Sequence, residues 1–165
     1  MFKIPSFWKK KSIISFFLLP LSSFYYLGYL TYRLSKKEVE IGKPVLCVGN
    51  LVIGGAGKTP LVIRIRQLLS RDYSKIFVLT RGYLGKNKGP LIVKKTMHFQ
   101  DVGDESLIHA NFGSTCVSKN KVEGAKLCKK NGADLIILDD GLQSINVKKK
   151  MSLLVIDSFY GTKNR

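Results

Sequence analysis

The sequence predicts an α/β fold, a layered domain with a mostly parallel sheet, preceded by a hydrophobic N-terminal helix. Three observations carry this. Short, nearly continuous apolar runs, PVLCVGN (44–50), KIFVLT (75–80), STCVS (114–118), DLIILDD (134–140) and SLLVIDS (152–158), read as buried parallel strands. Helical patterns over 59–70, about 104–111 and 120–131 alternate with them, and such alternation favours parallel pairing. A glycine-rich turn joins the first run to the first helix, where strand–loop–helix units bind phosphate.

The N-terminal helix comes first. Between Lys11 and Arg33 lie 21 uncharged residues, with Lys3, Lys9 and Lys10 before them and Lys36 and Lys37 after. That length suits a hydrocarbon core. Pro20 interrupts the run, Ser12, Ser15, Ser22, Ser23 and Thr31 dilute it, and Tyr25, Tyr26, Tyr29 and Tyr32 favour the headgroup level. Four readings stand: an interfacial anchor helped by lysines on anionic lipid, a spanning helix, a cleaved signal peptide, and a helix packed on its own domain. Basic residues on both sides leave orientation open. We divide the chain into residues 1–40, a membrane anchor with basic flanks, and residues 41–165, the α/β domain.

Composition limits what that domain does. An apolar share of 45% and a charged share of 24% exclude a disordered chain and a polytopic membrane protein. Lys+Arg number 28 against 11 Asp+Glu, a net +17, but only six are Arg. Nucleic-acid readers lean on Arg for bidentate contacts, so the excess points to diffuse attraction and not to nucleic acid. Cys47, Cys116 and Cys128 form no CxxC pair, which argues against a disulfide framework and a zinc site. His98 and His109 read as a loop residue and a helix-surface or core residue.

The strongest signal is IGGAGKT, residues 53–59. Backbone N–H groups of such a turn close on phosphate oxygens, and the next helix adds its positive end. Lys58 would reach the β/γ-phosphates and Thr59 would hold Mg²⁺. The strict phosphate-loop pattern places Gly at position 52, where this chain has Val52. A nucleotide site of this type also needs a carboxylate at a strand end for the metal; Asp139 and Asp140 fit, with an N-cap or polar strand end as the plain alternative. Asp104, in GDES, is either a helix N-cap or a catalytic acid. Arg81 and Gly82 follow a strand, on the edge where open α/β sheets bind ligands. In the helix over 120–131, Val122, Ala125, Leu127 and Cys128 share a face, and Gly132 should end it.

Together, GNLVIGGAGKTP (49–60), TRGYLG (80–85), GDES (103–106) and DDGLQ (139–143) resemble the ordered motifs of tetraacyldisaccharide 4′-kinase, the lipid A 4′-kinase of Gram-negative bacteria. The resemblance covers essentially the whole chain. It implies a P-loop NTPase-type kinase that uses ATP and Mg²⁺. It implies transfer of a γ-phosphoryl group to the 4′-hydroxyl of a tetraacylated glucosamine disaccharide 1-phosphate, at the cytoplasmic face of the inner membrane. On this resemblance the loop is Val52, Ile53, Gly54, Gly55, Ala56, Gly57, Lys58 and Thr59. Asp139 and Asp140 become the metal-side pair, and Asp104 helps activate the sugar hydroxyl.

Two departures stand out. Ser144 follows DDGLQ where the family usually has His, and the family runs to about twice this length, with a Gly-Asn-Gly turn and a Pro-rich stretch expected where this chain reads FYGTKNR. The resemblance therefore implies an N-terminal portion lacking a second domain, incomplete or inactive alone. Two other functions stay open: a membrane-associated ATPase of the partner-regulated type, and a nucleotide-binding remnant without turnover.

Overall fold

The computed structural model describes residues 13–35, 37–50 and 57–156; the expectations for Val52, Ile53, Gly54, Gly55, Ala56, Asp157 and Ser158 lie outside the described residues. The chain forms two units, Met1–Lys37 and Glu38–Arg165.

In the first unit, α1 (Ile13–Ser35) runs 23 residues with Pro20 inside it. Three of its hydroxyls hydrogen-bond within the helix: Ser22 and Ser23 donate to the Leu19 carbonyl at 2.8 and 3.1 Å, and Thr31 donates to that of Gly28 at 2.9 Å. Such bonds let polar residues sit in an apolar helix without exposing a free donor. Phe16, Phe17, Phe24 and Tyr25 are exposed. No helix among the described residues is long and apolar enough to cross a membrane, so the spanning reading gains no support.

The second unit contains β1 (Val45–Asn50), α2 (Lys58–Leu69), β2 (Ile76–Thr80), β3 (Leu91–Ile92) and α3 (Phe99–Val102). It continues with α4 (Asp104–Phe112), β4 (Thr115–Val117), α5 (Lys121–Lys130), β5 (Leu135–Asp139) and β6 (Met151–Val155). The sheet order is β3-β4-β2-β5-β1-β6. Every pairing is parallel except β3 on β4. Alternate strand residues face opposite layers. Leu46, Val48, Ile76, Val78, Leu135 and Ile137 pack with Val62 of α2. Val45, Cys47, Phe77, Leu79, Ile136 and Leu138 pack with Val122, Ala125 and Cys128 of α5. The odd-numbered face of β5 thus points toward α2, and Asp139 continues it.

Three expectations need correction. The sequence pattern contains no sign of β3 or α3, which are too short to develop a period. The last strand is not buried: β6 pairs with β1 alone, and Met151 and Leu154 are 58% and 45% exposed. Asp104 is not an N-cap; Gly103 holds that position and Asp104 is the first helical residue. Gly132 has φ +82 just after the Asn131 C-cap of α5, as expected for a helix-ending glycine.

Glycine explains why the separate motifs meet. A Cβ at Gly103 (φ +82) would run into the Tyr83 carbonyl oxygen, and one at Gly85 would stand 2.7 Å from the Val102 carbonyl carbon. TRGYLG and GDES are therefore in backbone contact, which seats the loop after β2 on the start of α4. Without side chains at these positions the two backbones can approach this closely.

Candidate nucleotide-phosphate site

The predicted residues gather at the C-terminal edge of the sheet. Val48 of β1 lies in register with Asp139 of β5, and the Asp140 N–H donates to the Val48 carbonyl at 2.9 Å. The loop after β1 and the turn after β5 are therefore neighbours. Gly57, at the N-cap of α2, has φ +73, and nothing lies within 4 Å of where its Cβ would be. The constraint there is conformational: glycine reaches the left-handed region at no steric cost.

Lys58 opens α2. Its Nζ donates to Asn50 Oδ1 at 2.7 Å and pairs with Asp140 Oδ1 at 3.1 Å. Asp140 has φ 58, in the left-handed region where a non-glycine residue is strained, and such strain concentrates at functional sites. It is held there by its bond to β1 and by the following glycine. A Cβ at Gly141 would meet Leu138 Cβ at 2.6 Å and Cys47 Sγ at 3.1 Å. Thr59 is half-buried in the first turn of α2.

Asp139 is 2% exposed and its Oδ2 lies 2.7 Å from Nε2 of His109, which is fully buried on α4. With Asp139 ionised, Nε2–H must be the donor. Among the described residues, three side-chain atoms of this cluster are buried without a hydrogen-bond partner: Asp139 Oδ1, His109 Nδ1 and Ser106 Oγ. Ser106 sits one helical turn before His109 on the same helix face. Buried polar atoms are seldom left in this way, so a cluster of them is notable.

Two more titratable groups border the site. Glu105 is half-buried; burial, then the charges of Asp139 and Asp104, hold its carboxyl above the ordinary 4.5, with Lys58 opposing. Lys121 is 7% exposed and donates to the Leu79 carbonyl at 3.4 Å. Burial pushes its ammonium down to about 8, against the pull of Asp139 and Asp140. Asp104 is exposed, and its Oδ1 accepts the Glu105 N–H at 2.9 Å. Arg81 is exposed after β2.

The structure thus brings Lys58, Asp139 and Asp140 together at one sheet edge and sets the first turn of α4 beside them. The sequence reading missed Glu105, Lys121 and the partnership of His109. A signal for the last existed: Asp139 shares the odd-numbered face of its strand with Leu135 and Ile137, so any helix on that face can reach it. Among the described residues no group of three or more His, Cys, Asp or Glu could hold a metal ion by itself. A cation here would need the nucleotide's own phosphates, which suits Mg²⁺, since it is usually held by one or two carboxylates plus phosphates. The buried, unpartnered Oδ1 of Asp139 fits that requirement.

The family described as tetraacyldisaccharide-1-P 4′-kinase (LpxK) matches residues 14–165. Tetraacyldisaccharide 4′-kinase of Rhodopseudomonas palustris (strain HaA2) is 44% identical over 97% of this chain and 48% of its own length. The protein of the same description from Paramagnetospirillum magneticum is 41% identical over 98% of this chain and 50% of its own. A crystal structure of LpxK from Aquifex aeolicus in complex with ATP superposes with a TM-score of 0.71 at 30% identity, covering 86% of this chain and 49% of that one. The chain spans about half the length of the curated relatives it matches. It belongs to the tetraacyldisaccharide 4′-kinase family.

Proposed function

We propose that this chain supplies the nucleotide-binding half of a lipid kinase. The reaction is transfer of the γ-phosphoryl group of ATP to the 4′-hydroxyl of a tetraacylated glucosamine disaccharide 1-phosphate, as the family resemblance implies. The observation that carries the reading is Lys58, at the start of α2, meeting Asp140 at 3.1 Å with buried Asp139 beside it.

Phosphoryl transfer asks a protein mainly to position groups and neutralise charge. Gly57, Lys58 and Thr59, at the start of α2, offer their N–H groups and the positive end of that helix to the phosphates. Lys58, only 20% exposed at its side chain, is already steered by Asn50 and Asp140 toward the region above β1. A phosphate oxygen competes with Asp140 for that ammonium. Asp139, Asp140 and Thr59 would hold Mg²⁺, which, when bound, neutralises charge on the β- and γ-phosphoryl oxygens. Asp104, at the exposed start of α4, orients or deprotonates the acceptor hydroxyl. Glu105 keeps a second carboxyl beside it. At positively charged Lys121, the site also has a cation facing the acidic pair.

The acceptor is an acylated, phosphorylated lipid, so the enzyme works at a membrane. The exposed apolar surface of α1 and the flanking lysines support an anchor at the anionic cytoplasmic face of the inner membrane. Deletion of residues 1–37 should release the domain to the soluble fraction, whereas high salt should release the intact chain only in part. Complete release by salt would contradict an inserted anchor.

The kinase reading is tested by ADP release from a full-length relative with and without the disaccharide acceptor. Replacing the lysine equivalent to Lys58 by Ala should lower acceptor-dependent release by about 10²-fold, the scale on which transition-state donors act. Acceptor-independent ATP consumption, sensitive to the same change, would favour the partner-regulated ATPase.

A further inference from the structure

His109 has no part in the reaction as described so far. It is fully buried, yet its ring is not spread among several partners: Nε2 goes to Asp139 Oδ2 at 2.7 Å, and Nδ1 has no hydrogen-bond partner among the described residues. Its backbone is fixed as well. The guanidinium of Arg66 on α2 donates from Nη1 to the His109 carbonyl at 3.3 Å, and from Nη2 to the carbonyls of Ile76 and Ser114, both at 2.7 Å. The imidazole therefore projects from a point tied to α2, β2 and the start of β4. On the other side, Asp139 is fixed by register with Val48.

We propose that His109 is a positioning residue for the metal-side carboxylate: its Nε2–H holds Oδ2 of Asp139 and leaves Oδ1 for the nucleotide-bound Mg²⁺ or a water on it. The inference rests on the reading of Asp139 given above. A carboxylate on the last residue of a strand can rotate about χ1 and χ2, and a single strong bond to one oxygen selects one setting. Groups that orient ligating carboxylates in this way typically change metal affinity by 10–100-fold when removed. The unpartnered Oδ1 is the observation that separates this role from plain satisfaction of a buried charge. A purely structural partner would be expected to leave no buried acceptor of the carboxylate unused among the described residues.

The test uses the full 165-residue chain and a fluorescent ATP analogue, titrated in Mg²⁺ and in EDTA. The quantity read is the gain in nucleotide affinity that Mg²⁺ confers. His109→Leu, which keeps the volume and removes the donor, should lose about tenfold of that gain or more while the affinity in EDTA stays within twofold. His109→Gln, which can still donate to Asp139, should recover most of it. Asp139→Asn is the control on the underlying reading. If it keeps the full gain, Asp139 is not on the metal side and the premise fails. If it loses the gain while His109→Leu keeps it, the premise stands and the positioning role is overturned. A second measurement needs no variant. With Mn²⁺ and ATP bound, the ring resonances of His109 should broaden strongly and those of exposed His98 should not. Equal sharpness of both would overturn the proposal even if His109→Leu did not fold.

Discussion

Arg66 and Asp139 are both buried charges on the face of the sheet covered by α2 and α4, and their surroundings differ in kind. Arg66 is 6% exposed and directs its guanidinium to the carbonyls of His109, Ile76 and Ser114. A Cβ at Gly113 would stand 2.6 Å from its Nη2, so even the neighbouring backbone is shaped around it. Burial lowers its pKa to about 10, which leaves it charged at neutral pH. Its donors are directed at helix and strand ends of its own domain. Among the described residues the Asp139 side chain bonds to His109 and keeps an idle buried oxygen; His109 and Ser106 each add another unpartnered atom. A buried ion whose hydrogen bonds all end on its own backbone is part of the framework. One that keeps capacity in reserve, at the sheet edge where a phosphate loop begins, belongs to a site.

The largest effect expected from this contrast is on stability. Arg66→Leu takes the guanidinium away from three carbonyls, of which that of Ser114 keeps the Val78 N–H at 3.1 Å, and a buried acceptor left without any donor costs about 1–3 kcal/mol before relaxation. A net loss of about 3 kcal/mol in urea unfolding is expected. Nucleotide affinity of the fraction still folded should change little. A mild loss of stability with a large loss of affinity would place Arg66 in the site and break the comparison.

Lys121 sharpens it from the other side. Its pKa falls from 10.5 to about 8, so the folded state binds fewer protons than the unfolded chain between those values. Stability therefore rises with pH across that window, and the cost of the buried ammonium is fully present below pH 8. Relative to Lys121→Met, the wild type should gain on the order of 2 kcal/mol between pH 7 and pH 10.5. Parallel pH profiles for the two proteins would mean that the ammonium is not buried as described.

The smallest effect concerns Glu105, whose pKa is raised by burial and by Asp139 and Asp104. A raised carboxyl contributes stability below its ordinary 4.5 that is lost as pH rises through the folded value. Glu105→Gln should melt higher than the wild type at pH 7, with the difference closing by pH 4. A variant less stable at pH 7 would show that Glu105 is paired, not frustrated.

These residues also mark how far the sequence could be read. The long elements were legible within about two residues, because buried strands are apolar runs and the helices between them show a clear period. β3, with two residues, carries no such signal, and the edge position of β6 depends on which strands flank it, which an apolar run does not encode. Lys58, Asp139 and Asp140 were legible as local patterns. The His109–Asp139 bond was not, since it spans 30 residues and depends on α4 packing over the odd-numbered face of β5. Arg66 looks in sequence like any solvent-facing helix arginine; its burial comes from the packing of α2 against α4. Asp104 was legible as part of the family motif, and of its two readings the N-cap does not hold, because Gly103 reaches φ +82 and takes that position.

The central claim is that Lys58 and the acidic pair form the phosphate end of an ATP site. Its most direct test is titration of this chain with ATP in the presence of Mg²⁺, comparing the wild type with Lys58→Ala at equal folded fraction by circular dichroism. A charge-assisted hydrogen bond contributes about 1.5–3 kcal/mol. The account therefore predicts affinity weaker by roughly tenfold or more in the variant. Equal affinity for ATP in the two proteins would contradict it.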